Sequence, residues 1–384
     1  MPEPTGLYLH IPFCRQKCGY CDFYSLPASE QVRAAYVKRL CEMLACPPFG
    51  SRLFSTVYFG GGTPSLLSSR QIRQLLEAVQ HFHTLSPDAE ITLECNPGAV
   101  SAAFFKEVAA VGVNRISLGL QSADPEQLRF LGRTHSPQEV RQAAIWAQKA
   151  GIENLSLDVM LALPGQTKAQ LLKTLRFVYA CGAQHLSAYL LKIEPDTPFE
   201  RRGMAALCPD ADETADLYLA AVSDLAAHGY RQYEVSNFCL PGRESRHNLG
   251  YWLGTPYLGI GPAAHSFLRP HPAARGERFF FPRSLEGFLQ AEDPWSLLQP
   301  DGEGGGAQEF FMLRLRLDEG LDLMEAERRY AIDRKGCLAA AAPLERAGLL
   351  KTEGSRLRLT PQGFLVSNAV ILQLLEAAGI EDPL

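Results

Sequence analysis

The chain has 384 residues, of which 46% are hydrophobic and 21% are charged, and its formal net charge is −5. This composition is that of a globular protein with a core large enough to fold without disulfides. The small acidic excess disfavours nucleic-acid binding, and no apolar run reaches the roughly 18 residues that a membrane-spanning helix needs. The first residues have neither the basic nor the apolar region of a signal peptide, so we expect a cytoplasmic protein.

Short β-rich segments recur along the first half of the chain, and each is followed by a segment with apolar residues at helical spacing. This alternation predicts an α/β protein with a parallel sheet, either doubly wound or rolled into most of a barrel. In both folds functional residues gather at the carboxyl ends of the strands. The predicted strands cover residues 6–11, 56–59, 90–94, 115–120, 155–160 and 185–190.

The pattern changes after about residue 200. Residues 212–228 predict a helix, and residues 230–257 are aromatic and polar. The segments 269–276 and 300–306 are rich in Pro and Gly, so they predict loops.

The last 80 or so residues predict a separate unit of helices, a hairpin and a final helix. The hairpin turns at Gly354-Ser355, and the final helix has Thr360 as its N-cap and Pro361 as its first residue. Helices followed by a hairpin resemble a winged helix. DNA binding is one interpretation, but the basic excess on the wing is small, so we favour a packing or partner-docking role. The predicted helices lie near 307–316, 322–331 and 335–347.

Three of the ten cysteines, Cys14, Cys18 and Cys21, lie close together directly after the first predicted strand. In a reducing compartment such clustered thiols are metal ligands or redox groups more often than disulfides. A structural zinc site takes four ligands, and no fourth is near. Three thiolates on a short loop can instead hold three corners of an iron–sulfur cubane and leave one iron open. The other seven cysteines are expected to pack as small apolar side chains.

Polar or Gly-rich residues also end the other predicted strands. Gly60–Gly62 follow the second strand and allow the backbone to approach a ligand closely. Glu94, Gln121 and Asp158 lie at or in the next three strands, and Arg133 offers a fork of donors for a carboxylate. Each alone also fits a polar residue that satisfies loop backbone, but together they predict a binding site on one rim.

The C-x3-C-x2-C spacing resembles the signature of the radical S-adenosylmethionine (SAM) superfamily. Further motifs resemble the oxygen-independent coproporphyrinogen III oxidase family, and most of all its haem-chaperone branch. The resemblance implies a partial (β/α)6 TIM-like barrel with a C-terminal α+β winged-helix-like domain. It also implies a [4Fe–4S] cluster on Cys14, Cys18 and Cys21, with SAM on the open iron. The motifs are LHIPFC (9–14), GGGTPS (60–65), NRISLG (114–119), LPGQT (163–167), IEP (193–195), YEVSNF (233–238) and HNLGYW (247–252).

Matched position by position, the resemblance implies a set of SAM contacts. Lys192 and His265 match less well, because their residue types differ from those of the oxidase. The other implied contacts are Tyr8, Tyr20, Gly61, Gly62, Thr63, Glu94, Gln121, Arg133 and Asp158.

One residue separates the two branches of the family. By the resemblance, the oxidase has a further essential cysteine two positions after its third cluster ligand, and this chain has Phe23 there. The resemblance therefore favours a haem chaperone that passes haem to an acceptor haemoprotein, which can be membrane-bound. A radical SAM enzyme acting on a tetrapyrrole is the alternative, and a zinc-binding protein without radical chemistry is a second one. An electron donor to the cluster is also implied.

Haem needs an axial ligand for its iron and flat apolar surface for its ring. His247, Tyr251 and Trp252 offer both within one motif, so we expect them to contact haem. The alternative is that His247 and Asn248 cap a loop against the barrel. The expected domains are a radical SAM barrel (1–200), an extension with the HNxxYW motif (201–300) and the winged-helix-like domain (301–384).

Overall fold

The computed structural model describes residues 3–271 and 274–380. All six predicted strands are present, and they lie side by side in chain order as a parallel array, so the α/β prediction is confirmed. Their carboxyl ends therefore share one rim. The strands are β1 (Thr5–Ile11), β2 (Leu53–Gly61), β3 (Thr84–Cys95), β4 (Arg115–Gln121), β5 (Asn154–Leu161) and β6 (His185–Leu190).

Helices connect these strands, and their first residues explain where they begin. Ser68 and Ser136 each accept a hydrogen bond from a backbone N–H of the first turn, and the side chains of Gln71 and Glu139 bond back to the caps. The buried face of the second helix packs on the sheet through Ile72 and its neighbours. The helices are α1 (Glu30–Ala45), α2 (Ser69–Phe82), α3 (Ala102–Ala109), α4 (Pro125–Phe130), α5 (Pro137–Lys149) and α6 (Lys168–Ala180).

The sheet does not stop at the six parallel strands. Beyond β6 the sheet continues with antiparallel strands. Beyond β1 a short strand pairs parallel to β1, and antiparallel strands follow it. The described sheet therefore has 12 strands and is open. The elements of this region are α7 (Pro198–Arg201), α8 (Ala211–Ala227), β7 (Arg231–Gln232), β8 (Asn237–Cys239), α9 (Arg246–Leu253), β9 (Tyr257–Ile260), β10 (His265–Leu268), β11 (Gly276–Phe280), α10 (Leu285–Gln290) and β12 (Gln299–Gly304).

One predicted loop is a strand. Residues 300–304 belong to β12, which pairs with β11 at the edge of the sheet. Nearly every residue of β12 is exposed, so its pairing depends on backbone hydrogen bonds and leaves little apolar signal in the sequence. In the other predicted loop, residues 269–271 and 274–275 are outside strands, Gly276 begins β11, and residues 272–273 lie outside the described part.

The predicted C-terminal helices and hairpin are confirmed. The hairpin turns at Gly354-Ser355, and a short third strand pairs with its second arm. Arg356 and Arg358 on this wing form ion pairs with Glu319 and Asp318. The elements are α11 (Ala307–Arg314), β13 (Leu321–Asp322), α12 (Leu323–Arg329), α13 (Arg334–Arg346), β14 (Leu350–Glu353), β15 (Arg356–Leu359), α14 (Pro361–Leu365) and α15 (Ser367–Ala377).

The buried apolar side chains of the strands and of the C-terminal helices form one continuous core. The domain division at residues 200 and 300 therefore stays a prediction. Within the described ranges, no helix is long and apolar enough to cross a membrane.

Candidate functional site

The three clustered cysteines lie on a loop that leaves the carboxyl end of β1. A bridge between Phe13 and Leu26 closes this loop at its base, and Cys21 N–H donates to the Cys18 carbonyl within it. All three side chains are free thiols and partly exposed. Thr63 Oγ1 lies 3.4 Å from Cys14 Sγ. Burial raises the pKa of the Cys21 thiol.

The predicted glycine loop lies directly beside the cysteines. Gly62 N–H donates to the Ile11 carbonyl, and Thr63 N–H donates to the Phe13 carbonyl, so the loop is tied to the end of β1. Gly61 has a φ of 112°, and a Cβ there would lie 2.7 Å from the His10 ring. A Cβ on Gly62 would lie 2.6 Å from the Phe13 carbonyl oxygen. Only glycine fits at these two positions.

Two half-buried carboxyls belong to the parallel strands, Glu94 near the end of β3 and Asp158 within β5. Burial raises the pKa of Glu94 to about 7, although Tyr58 OH donates to its Oε1 at 2.7 Å. Burial also raises the pKa of Asp158, which accepts a hydrogen bond from Ser117 Oγ at 3.0 Å. The positive charge of Arg115, itself fully buried, opposes both shifts. These carboxyls are therefore poised to accept hydrogen bonds from a ligand.

Gln121 and Arg133 complete this rim. Gln121 has a φ of 65°, which a residue other than glycine rarely adopts, and the β4–β5 register shifts at this point. Arg133 connects the rim to the cysteine loop, because it donates to the Gly119 carbonyl at 3.1 Å and to Cys18 Sγ at 3.8 Å. Its Nε is buried without a hydrogen-bond partner in the described part of the chain.

These groups open into one cavity of about 910 Å³. That volume is near the top of the range of about 300–1,000 Å³ that is typical of small-molecule sites. The predicted SAM contacts in its lining are Tyr8, Tyr20, Gly61, Gly62, Thr63, Glu94, Gln121, Arg133, Asp158 and His265.

The other side of the cavity is a surface that we call the antiparallel wall. It consists of Tyr251, Tyr257, His265, Phe267 and Arg278, which come from α9 and from β9, β10 and β11. The rings of Tyr251 and Tyr257 meet edge to face with centroids 4.6 Å apart, and the Arg278 guanidinium lies 5.0 Å from the centroid of Phe267. This surface is broad, aromatic and cationic.

Three predicted contacts do not line this cavity, namely Lys192, Trp252 and His247. Lys192 is exposed and forms an ion pair with Glu194 at 2.9 Å. Trp252 is half-buried.

The geometry of His247 favours the structural alternative over a haem ligand. The side chain is 4% exposed, its Nδ1 is 2.7 Å from Thr56 Oγ1, and its Nε2 is 2.8 Å from Tyr251 OH. Burial lowers its pKa to about 3. Glu90 Oε1 also accepts from the His247 backbone N–H at 3.0 Å. Both ring nitrogens are thus hydrogen-bonded in this structure, and the sequence could not reveal a partner as distant along the chain as Thr56.

Sequence reasoning missed several residues of the cavity. Arg115 and Tyr58 do not line it, but the Tyr58 hydroxyl and the Arg115 charge lower the pKa of Glu94 against the larger effect of burial. A charged residue at the start of an otherwise apolar strand was the available signal for Arg115. Arg278 and Arg283 line the other side, and no sequence pattern marks them.

The cavity residues fit an iron–sulfur cluster and SAM. The cysteine loop offers three soft ligands, and Arg133 and Thr63 direct donors at two of the sulfurs, as second-sphere partners of clusters do. Among residues 3–271 and 274–380, no three His, Cys, Asp or Glu side chains converge around a single metal ion.

The chain is similar to proteins of known family. A family model described as the radical SAM superfamily matches residues 8–178, and one described as the HemN C-terminal domain matches residues 307–366. The heme chaperone HemW of Mycobacterium tuberculosis is 36% identical over 382 residues, which cover 97% of this chain and 95% of that protein. The chain belongs to the HemW family of radical SAM proteins. Membership of the radical SAM superfamily implies a [4Fe–4S] cluster and SAM.

Other HemW-family relatives agree with this assignment. The heme chaperone HemW of Escherichia coli is 41% identical over 326 residues, covering 84% of this chain and 85% of that protein. A solved structure of coproporphyrinogen III oxidase (HemN) from Escherichia coli has a TM-score of 0.81 and 22% identity, covering 97% of this chain and 90% of that one. That likeness establishes the shared fold.

Proposed function

We propose that this protein is a haem chaperone that binds haem in its cavity and passes it to an acceptor haemoprotein in the cytoplasm or at a membrane. The observation that carries the proposal is the cavity itself. Cys21 of the three-cysteine loop, the polar residues of the parallel strands and the antiparallel wall all line this one cavity of about 910 Å³, which is large for a small-molecule site. The names of the HemW relatives support the same function.

Cys14, Cys18 and Cys21 are the proposed cluster ligands. Their thiols are free and accessible on one short loop, and Arg133 and Thr63 donors offset part of the negative charge on the sulfurs. A [4Fe–4S] cluster there would offer an open iron to the amino and carboxylate groups of SAM. It would also pass on an electron that it receives from a partner protein.

The rim residues are the proposed SAM contacts. Glu94 accepts hydrogen bonds from ribose hydroxyls, and Asp158 and Gln121 supply further polar groups at neighbouring strand ends. The guanidinium of Arg133, which lines the cavity, is the proposed donor to the SAM carboxylate, because its planar fork of donors matches a carboxylate. The backbone of Gly61 and Gly62 lies against the methionyl part, since neither residue has a Cβ to hold it away.

The rival function is a radical SAM enzyme acting on a tetrapyrrole. Phe23 argues against the oxidase, because its side chain is 65% exposed at the cavity mouth and has no thiol to offer. The family assignment also favours the chaperone.

One experiment separates the two functions. Protein purified without oxygen, with its cluster intact, is titrated with ferric haem and is separately given coproporphyrinogen III, SAM and a reductant. We expect a Soret band of bound haem and transfer of that haem to an added apo-haemoprotein, with no protoporphyrinogen formed. Turnover of coproporphyrinogen, or absence of haem binding, would overturn the proposal.

A further inference from the structure

The antiparallel wall has no assigned ligand, although it occupies one side of the cavity. In the antiparallel pair of β10 and β11, His265 pairs with Phe280 and Phe267 pairs with Arg278. Because side chains alternate along a strand, these four residues share one face of the sheet. Tyr257 pairs with Phe267 on the same face. This face combines aromatic rings with the His265 imidazole, and its one guanidinium, Arg278, is paired with Glu309. Such a face suits a flat hydrophobic ligand.

His265 is held in a geometry typical of metal-binding histidines. Its Nδ1 lies 3.2 Å from Asp301 Oδ2, and its ring stacks on Phe280 with centroids 5.6 Å apart and planes at 24°. A carboxylate at Nδ1 fixes the N–H there and leaves the lone pair on Nε2, as in carboxylate–histidine–metal arrangements. Within the described residues, Nε2 has no hydrogen-bond partner.

The backbone around His265 is also fixed. Ala263 has a φ of 65°, its N–H donates to the Phe281 carbonyl at 3.0 Å, and Phe281 N–H donates back to the Ala264 carbonyl. These bonds lock the turn before β10. The imidazole is therefore preorganised before any ligand binds.

The other histidine that lines this cavity is unavailable. His10 Nδ1 is 3.0 Å from Tyr8 OH, and its Nε2 is 3.0 Å from the Tyr24 carbonyl. Since His247 is engaged at both nitrogens as well, His265 is the cavity histidine with a nitrogen free in the part of the chain that the structure describes.

We propose that haem lies on the antiparallel wall with His265 Nε2 as the axial ligand of its iron. This inference rests on the proposed haem chaperone function. It assigns the haem iron to His265 in place of His247, and it assigns His265 to haem in place of SAM. The Nε2 lone pair of His265 displaces a water from the ferric iron, and no electron is transferred. Tyr257 contacts the porphyrin face.

A cation for the propionates stands at the rim of the wall. Arg283 lines the cavity, is 61% exposed, and pairs with Asp22 at 3.5 Å, a weak contact that a propionate can displace. Arg278 is already committed to Glu309. The His265 side chain is 56% exposed, so an acceptor haemoprotein can reach the iron and exchange its own ligand for this one.

The test compares His265→Ala with two histidine controls in cluster-loaded, full-length protein. Ferric haem is titrated into wild type, His265→Ala, His247→Ala and His81→Ala, where His81 is an exposed residue of α2. Electron paramagnetic resonance and the Soret band report the axial ligand. We expect histidine ligation in wild type and both controls, and its loss in His265→Ala, with restoration by added imidazole.

Asp301→Asn tests the orientation of the ring. It should keep histidine ligation but weaken haem binding by roughly tenfold, as loss of second-sphere carboxylates does at metal sites. If wild type binds no haem, the proposed function fails. If wild type binds haem and His265→Ala gives the same spectra, this inference fails and the proposed function stands.

Discussion

The two sides of the cavity differ in how they are built and in what they hold. On the parallel side, the predicted site residues lie in strands β1–β5 or on the segments that follow them, and burial raises the pKa of Glu94 and of Asp158. On the antiparallel side, His265 and Arg283 are exposed, whereas Phe267 is buried. We propose that the parallel side retains its ligands and that the antiparallel side releases one.

The largest expected effect is on the parallel side. Cys18→Ser removes one of the three proposed cluster ligands, so iron and sulfide should fall from about four of each per chain to near zero. Chemical analysis and the iron–sulfur absorption measure the loss. Cys46→Ser, at an exposed cysteine outside the loop, is the matched control and should keep its cluster. A full cluster in Cys18→Ser would contradict the assignment.

Glu94 should make SAM binding depend on pH. Its pKa of about 7 means that it is protonated below neutrality, and ribose hydroxyls donate best to the charged form. SAM affinity should therefore rise as the pH rises toward 7 and level off above it, by up to about tenfold per pH unit. Calorimetry should find weaker, less pH-dependent binding in Glu94→Gln.

The exposed Glu77→Gln on α2 is the control for that experiment. Titration of SAM itself affects Glu77→Gln and wild type equally, so their curves of SAM affinity against pH should coincide. If the curve of Glu94→Gln also coincides with that of wild type, Glu94 does not belong to the SAM site.

His247 should matter for stability and not for haem. His247→Ala leaves the hydroxyls of Thr56 and Tyr251 without their partner, so the free energy of unfolding should fall by about 1–3 kcal/mol. Urea denaturation at pH 7 measures this loss, while the Soret band should stay as in wild type. If His247→Ala lost histidine ligation of haem, His247 would be the haem ligand, as the sequence predicts.

The same residue has a pH signature with a defined sign. Its pKa is about 3 in the folded protein and about 6.5 in an unfolded chain, so between these values the unfolded state binds the additional proton. The stability contributed by His247 is thus complete above pH 6.5 and is lost as the pH falls. The difference between wild type and His247→Ala should shrink accordingly.

The smallest effect is expected at the rim of the wall. Arg283→Ala removes one exposed cation from the haem propionates, which is worth roughly 0.2–1 kcal/mol, and the loss should diminish in high salt. Haem titrations at low and high ionic strength measure it, with Arg73→Ala on α2 as the exposed control. A loss that is independent of salt would exclude a propionate contact.

The parallel side could be predicted from sequence because its information is local. Each strand is an apolar segment bounded by turn residues, and a polar residue at its end lies on the rim by topology alone. The antiparallel side could not be predicted from the sequence. The exposed strand β12 carries no hydrophobic pattern, and the partner of His265, Asp301, is fixed only when that strand pairs. The hydrogen-bond partners of His247 were hidden for the same reason, since Thr56 is 191 residues away along the chain.

The measurement that tests the two-sided cavity most directly is a haem titration of cluster-loaded protein with and without saturating SAM. We predict the same apparent haem affinity with and without SAM, and a ternary complex with one haem and one SAM per chain. An apparent haem affinity that weakens in proportion to the SAM concentration would show that the two ligands compete, and would contradict the assignment of one side to each.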